Sequence, residues 1–406
     1  MNICVISDFF PPYRTGGAEN IALNLTKKFI DKGNRVVVIT TNAEIQSNHI
    51  HKLAFENIEV YQIGFRPIEK VSPFLGVYNP FILKTLKGFL LENKFEIAHL
   101  HNIHNCFSFG IISLLRKFGV RIFFTAHDSY ILYSGKYSQG VHEKSMQSLP
   151  SVDFRINSLQ SFKKNWKRFN PFKSIYVNLQ LKKVEKIVCV SRELETFLNS
   201  NEIHKTITIN NGIESVPKTF EDDINNFRNK LKLTPNDSIV LFIGRISGEK
   251  GIDIIIKLAK TLEQKRPDIK FLVIGKEIDD LKLSNVINFG WLEQDEINIA
   301  YSSAKATLVP SMYLDPFPTV ILESMRASTP VIISSYSGGK EAIDSNINGF
   351  VVNPFDTDLI RKLIIRIVDD KYLHKTLGKS ALKKFNDCFT IELCSDKYLN
   401  LFHESN

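Results

Sequence analysis

The chain has little cysteine and no long hydrophobic run. Its five cysteines, at 4, 106, 189, 388 and 394, are odd in number and form no C-x-x-C pair. That excludes a disulfide-framed secreted fold and the usual zinc spacings. It fits a reducing compartment, where Cys4 and Cys189 act as small hydrophobes inside apolar runs. No stretch approaches about 18 consecutive apolar residues, so no bilayer-spanning helix is expected. The opening MNICVISDFF enters an apolar strand at once, with no basic leader or cleavage site, and Asp8 ends that run. The expected location is the cytoplasm. Low-complexity tails, internal repeats and a G-x-G-x-x-G fingerprint are also missing. Those absences remove disorder, a solenoid and a dehydrogenase-type dinucleotide fold.

What is present is the composition of a folded protein, 43% hydrophobic and 23% charged over 406 residues. That length exceeds one ordinary core and gives two domains of similar size. The net charge of +9 admits nucleic acid, an anionic membrane surface or phosphorylated small molecules as partners, and does not choose among them.

Short β-branched runs alternate with helical patterns, the signature of parallel α/β sheets. Strands are expected at 2–7, 35–40, 58–62, 96–100, 120–126, 187–190 and 206–209 in the first half. In the second half they are expected at 239–243, 270–274, 286–289, 306–309, 330–333 and 350–352. A helix over 18–32 would bury Ile21, Leu25 and Phe29, with the stem of Lys28. Periodicity stops across Ile213–Asp222, where Pro217 interrupts, so the domains are placed at 1–212 and 213–379. The closing helices, about 380–406, are expected to pack back on the first domain. Two Rossmann-like sheets of this kind face each other across a cleft, and ligands bind beyond the carboxyl ends of the strands.

Three polar clusters fall at such ends. After the first strand comes Asp8, then Gly16-Gly17-Ala-Glu19 opening a helix. Glycines there let backbone N–H groups approach an anion, although a plain strand-to-helix turn needs them equally. The second cluster is Gly244-Arg245-Ile-Ser-Gly248-Glu-Lys250-Gly251, two cations and a helix start beside one strand. A diphosphate fits it, and a solvated basic loop would not explain the glycines. The third runs from Val309 through Ser311, Asp315, Phe317, Pro318 and Thr319 to Glu323. It pairs a loop carboxylate with one in the second turn of a helix, and free N–H groups lie near Phe317–Thr319. Paired carboxylates also suit glycoside hydrolysis, but a hydrolase would not need the neighbouring Arg and Lys.

With these motifs in order, the chain resembles the retaining glycosyltransferases of family 4, which have the GT-B fold. The resemblance runs from Met1 to about Val352. It rests on FPP-x-x-GGAE, His127-Asp128, VCVS at 188–191, Asn211-Gly212-Ile213-Glu214, G-R-x-x-x-x-K-G, the D-x7-E segment ending LESM, Ser337-Gly-Gly339-Lys-Glu341 and Asn348-Gly349. It implies that Arg245 and Lys250 neutralise the donor diphosphate and that Glu323 holds the ribose hydroxyls. Backbone groups around Phe317, Pro318 and Thr319 would hold the phosphates, with Gly16 and Gly17 closing on them. Asp315 would contact the donor sugar and His127 would sit near the reacting carbon. The base would lie against Gly275-Lys276 and Gly290-Trp291-Leu292. The family's first acid is usually Glu, and Asp315 is one methylene shorter, which leaves donor specificity through that position open. The implied reaction is sugar transfer with retention from a nucleoside diphosphate sugar to a saccharide or lipid-linked acceptor, in bacterial surface-polysaccharide or glycolipid synthesis.

Other signals have blander readings. Asp356-Thr-Asp358 spells D-x-D, but an N-cap before Leu359 explains it. His99, His101 and His104 look like ligands, yet no carboxylate stands at ligand spacing, and no metal requirement is expected. The segment Phe154–Val184 holds eight Lys/Arg and no acid, with Phe162, Trp166 and Phe169 at helical spacing. It either lies on an anionic membrane surface or packs its aromatics on the first domain. Competing functions are another GT-B activity, such as a phosphorylase or a sugar-nucleotide epimerase, and a non-catalytic anion- or nucleotide-binding protein. Nucleic acid is not an expected partner, because the basic residues follow no nucleic-acid motif.

Overall fold

The computed structural model describes residues 1–14, 16–66, 72–132, 154–156, 170, 172–216, 219–276 and 283–404. They form two compact units, one from Met1–Tyr137, Phe154–Glu214 and Ile391–Asn406, the other from Ser215–Thr390.

The strands of the first unit are β1 (Asn2–Ile6), β2 (Arg35–Asn42), β3 (Ile50–Phe55), β4 (Ile58–Gly64), β5 (Ile97–Leu100), β6 (Arg121–Ala126), β7 (Lys186–Cys189) and β8 (Thr206–Thr208). They make one sheet in the order β3-β4-β2-β1-β5-β6-β7-β8, parallel except for β3. Near-continuous apolar runs such as Ile3-Cys4-Val5-Ile6 are buried because helices cover parallel sheets on both faces. The helix Gly17–Asp31 buries Ile21, Leu25 and Phe29, one stripe at i, i+4, i+8. Strand β3 escapes sequence reading for a physical reason. It pairs antiparallel with β4 at the sheet edge, most of its side chains are exposed, and no buried alternation marks it.

The second unit contains β9 (Ser238–Ile243), β10 (Ile269–Ile274), β11 (Val286–Phe289), β12 (Ala304–Val309), β13 (Val331–Ser334) and β14 (Gly349–Val352). All are parallel, in the order β11-β10-β9-β12-β13-β14. Counted within the unit this is 3-2-1-4-5-6, the doubly wound order. Leaving β3 aside, the first unit follows the same rule, so strand order reverses between β1 and β5 in one and between β9 and β12 in the other.

The helix Lys371–Cys388 stays with the second unit, packed on the helix Thr319–Arg326. Gly378 permits that approach, since a Cβ there would run into the Ser328 carbonyl. The chain therefore returns to the first unit only at Ile391, whose N–H donates to the Ile213 carbonyl at 3.0 Å. The helix Ile391–Glu404 then lies along Gly17–Asp31, where Lys28 pairs with Glu392 at 3.1 Å. Among the described residues, no helix is long and apolar enough to cross a membrane.

Candidate functional site

In the second unit, the loop after β9 is pinned to the loop after β12. Gly251 adopts φ +84°, and a Cβ there would strike the Pro310 carbonyl oxygen, so only glycine fits. The Met312 N–H donates to the Glu249 carbonyl at 2.7 Å. This contact carries Lys250 Nζ to 2.6 Å from Asp315 Oδ2, an oxygen that also accepts from Ser311 Oγ at 2.8 Å. Asp315 is only 5% exposed, so its charge must be paired to be tolerated there. The Asp315 carbonyl accepts from Gly338 N–H at 2.8 Å and Ser337 Oγ at 3.2 Å, which ties the Ser337–Glu341 turn to the same place. Arg245, by contrast, is exposed, and its side chain has no hydrogen-bond or ion-pair partner among the described residues.

Eight residues past Asp315, Glu323 is half-buried on the helix Thr319–Arg326. Its Oε2 accepts from Tyr301 Oη at 2.9 Å. Burial first, and then the Glu323 charge, push the Tyr301 phenol well above its ordinary value, so it remains a donor. Ile321 and Leu322 are buried beside Glu323, whereas Val320 is only half-buried. No side chain caps this helix at Pro318, which leaves first-turn N–H groups open. Gly275 follows β10, and its N–H bonds the Phe289 carbonyl at 3.2 Å. Trp291 is 65% exposed and Leu292 half-buried. The structure thus gathers Arg245, Lys250, Gly275, Trp291, Leu292, Ser311, Asp315, Phe317, Pro318, Thr319 and Glu323 along one edge of one sheet. That is the edge where parallel α/β sheets bind ligands.

The corresponding edge of the first unit is differently built. Asp8, fully buried, accepts backbone N–H from Asn105 at 2.6 Å, Cys106 at 2.9 Å and Phe107 at 2.8 Å. It is a clamp joining β1 to the loop after β5. Gly16 is the extended N-cap of Gly17–Asp31, with no side-chain cap. Glu19 stands in that first turn, half-buried, and burial raises its pKa against the pull of its own backbone N–H and of Arg14. His99 Nε2 lies 2.8 Å from Thr125 Oγ1, which is 3.0 Å from Tyr398 Oη. His101 Nδ1 lies 2.8 Å from His127 Nε2. Burial drives His99 down to about 3, His127 to about 4 with help from His104, and His101 well below its usual value. All three rings are neutral near pH 7.

Sequence reading missed the Tyr301–Glu323 bond, the Asp8 clamp and the His101–His127 pair. The alternation of His99 and His101 was the available signal for the last of these. Asp356 is an N-cap, accepting from Leu359 N–H at 2.9 Å. Among the described residues, no group of three or more His, Cys, Asp or Glu is placed to hold a metal. The aromatics Phe162, Trp166 and Phe169 lie outside the described residues. The described part of that segment includes the helix Lys173–Leu181, which exposes Ile175 and Leu179, with Phe172 just before it. Four of the cysteines are buried and Cys388 is exposed; all are free thiols.

Two Rossmann-like units of this topology define the GT-B class of glycosyltransferase. The family described as Glycosyltransferase Family 4 matches residues 15–215, and the one described as Glycosyl transferases group 1 matches 223–384. The chain belongs to the group 1 glycosyltransferases, and the activity that follows is glycosyl transfer. An uncharacterized glycosyltransferase of Methanocaldococcus jannaschii is 25% identical over 99% of this chain and 98% of its own. The GPI3 subunit of phosphatidylinositol N-acetylglucosaminyltransferase from Saccharomyces cerevisiae is 21% identical over 95% of this chain and 80% of its own. The crystal structure of Anabaena HepE in complex with UDP matches with a TM-score of 0.73 at 16% identity, covering 100% of both chains, a likeness of fold.

Proposed function

We propose that the protein is a retaining hexosyltransferase whose second unit grips the diphosphate of a nucleotide sugar. The carrying observation is the meeting of Lys250 with Asp315 where strand order reverses, in the unit that also carries an Arg245 side chain without a partner among the described residues and an uncapped helix N-terminus. Lysine has three donors and Asp315 occupies one, so Lys250 can serve phosphate oxygens without leaving its anchor. Ser311 and Asp315 thus orient the ammonium, and the Asp315 side chain borders the sugar position. Glu323 has one oxygen held by Tyr301 and offers the other to ribose hydroxyls. Thr319, just past Phe317 and Pro318 at the uncapped start of its helix, presents a backbone N–H to phosphate, and Gly275, Trp291 and Leu292 border the base. Support for such a donor comes from HepE, which was crystallised with UDP.

Charge develops on the departing diphosphate as the sugar becomes oxocarbenium-like, and fixed cations and dipoles stabilise it. Arg245 and Lys250 supply that charge themselves, so the reaction runs without a metal. EDTA should leave turnover unchanged, and loss of activity restored by a divalent ion would refute this. The acceptor belongs to the first unit, with His127 on its binding edge, while Gly16 and Gly17 keep the donor-phosphate role that the resemblance implies. A screen of UDP- and GDP-sugars for donor hydrolysis and transfer, with the anomeric product read by NMR, tests the whole reading. An inverted product sinks the retaining assignment, and binding without turnover of any donor favours a non-catalytic protein.

The acceptor class is a saccharide or glycolipid of cell-surface synthesis, reached at the inner membrane face. Supporting this, the helices Pro80–Glu92, Gly110–Lys117 and Lys173–Leu181 lie in sequence against one another and carry one acid between them, Glu92. Phe81, Leu91, Ile175 and Leu179 are each more than half exposed there, beside exposed Lys84 and Lys87. Exposed apolar side chains on basic, acid-poor helices suit an anionic bilayer surface. The protein should sediment with anionic vesicles and release with salt. The double change Ile175→Asp and Leu179→Asp should weaken this about tenfold or more. Sedimentation indifferent to both salt and anionic lipid would refute membrane docking.

A further inference from the structure

Two buried imidazoles in the first unit each have one bonded nitrogen and one nitrogen with no partner among the described residues. His99 bonds through Nε2 and leaves Nδ1 alone; His101 bonds through Nδ1 and leaves Nε2 alone. His99 is 0% and His101 1% exposed, so neither bare nitrogen reaches water. A neutral imidazole carries one N–H and one lone pair, and each ring must place its proton on one side or the other. A proton on the partnerless nitrogen would create a buried N–H with no acceptor, the rarest defect in folded proteins. A proton on the bonded nitrogen leaves only an unused lone pair. His99 therefore donates from Nε2 to Thr125, whose hydroxyl exchanges a further bond with Tyr398.

The same reasoning decides His101. We propose that His101 is a positioning residue whose Nδ1–H donates to His127 Nε2 and thereby fixes the His127 proton on Nδ1. His127 then has its Nε2 lone pair occupied and offers a single free function, an Nδ1–H donor. Both residues directly follow adjacent paired strands, β5 and β6, so the bond spans the sheet edge that the first unit presents. The two rings are also nearly coplanar, 16° apart with centroids at 5.1 Å, the geometry of an in-line bond from ring nitrogen to ring nitrogen. A ligand oxygen in front of His127 would meet a neutral hydrogen-bond donor, which suits a sugar hydroxyl acting as acceptor. This rests on the reading above that His127 serves the reaction, but the tautomer itself does not.

The test is a two-bond proton–nitrogen correlation spectrum of the full chain labelled with nitrogen-15 histidine, with His127 assigned by its loss in His127→Gln. The expected pattern has the His127 proton on Nδ1; a proton on Nε2 overturns the proposal. In activity, His101→Phe should lower kcat about tenfold with donor KM unchanged, the size of one lost hydrogen bond. His101→Asn, which keeps an amide donor at the same reach, should restore most of it. Equal activity in His101→Phe and wild type would also overturn the positioning role. If His127→Ala itself turns over normally, the functional reading of His127 fails, while the spectrum still decides the tautomer. Should His101→Phe not fold, the wild-type spectrum and the Asn variant carry the test.

Discussion

Between β1 and β5 the first unit closes its strand-order reversal with Asp8, whose carboxylate is spent on three backbone N–H groups. Between β9 and β12 the second unit spans the equivalent reversal with Lys250 and Asp315, an ion pair of side chains at 2.6 Å. One topology thus yields two electrostatic characters. Both edges carry a helix start without a side-chain cap, but the first is lined by an inward-facing acid and neutral histidines and the second by cations. An edge whose charge is fully used by its own backbone has little left for an anion. An edge whose ammonium retains free donors can hold one. The comparison teaches that the doubly wound fold supplies the place, while local hydrogen-bond satisfaction decides which ligand it suits.

The widest gap between the units should appear in catalysis. Arg245→Ala and Lys250→Ala should each lower kcat by roughly 10²–10³, the usual cost of removing one donor that stabilises developing charge. Steady-state kinetics with the best donor measures this, and near-wild-type turnover in both variants would remove the assigned role of the second edge. Acid should instead single out the first unit. His99 and His127 have folded pKa values of about 3 and about 4, below the unfolded 6.5. Between those limits the unfolded chain binds more protons, so stability is full above about pH 6.5 and is lost as pH falls toward 4. Each ring costs about 1.4 kcal/mol at pH 5.5. Differential scanning calorimetry from pH 7.5 to pH 5.5 should show the transition of the first unit moving down, and an unmoved transition would contradict the neutral-histidine account. The smallest effect belongs to the D-x-D segment. Asp356→Ala should cost about 1 kcal/mol as a lost N-cap and leave turnover unchanged. A large fall in kcat there would revive a metal–diphosphate role.

Much of the fold was legible in the sequence because its signals are local. Apolar runs of four to six residues between amphipathic helices placed every strand except β3, and β3 lacked the buried face that makes a strand visible. The candidate site was legible in part for the same reason. Gly251, Ser311 and Asp315 stand in loops after strands and Thr319 opens the helix that follows, where residue type and spacing speak directly. Val320 is half-buried, packed against the core of its unit from the first turn of its helix.

By itself, the sequence determined the doubly wound class, the position of each polar cluster at a strand end, and the motifs that place the chain among the group 1 glycosyltransferases. Only the tertiary structure decided which of those groups are already engaged. Asp315 holds a lysine 65 residues away, Asp8 holds amides nearly a hundred residues on, and His101 meets His127 across two strands. The physical reason is that periodicity and spacing report on neighbours along the chain. A hydrogen bond between distant loops is fixed by sheet order and by close approaches such as Gly251 on Pro310, and these exist only once the strands have paired.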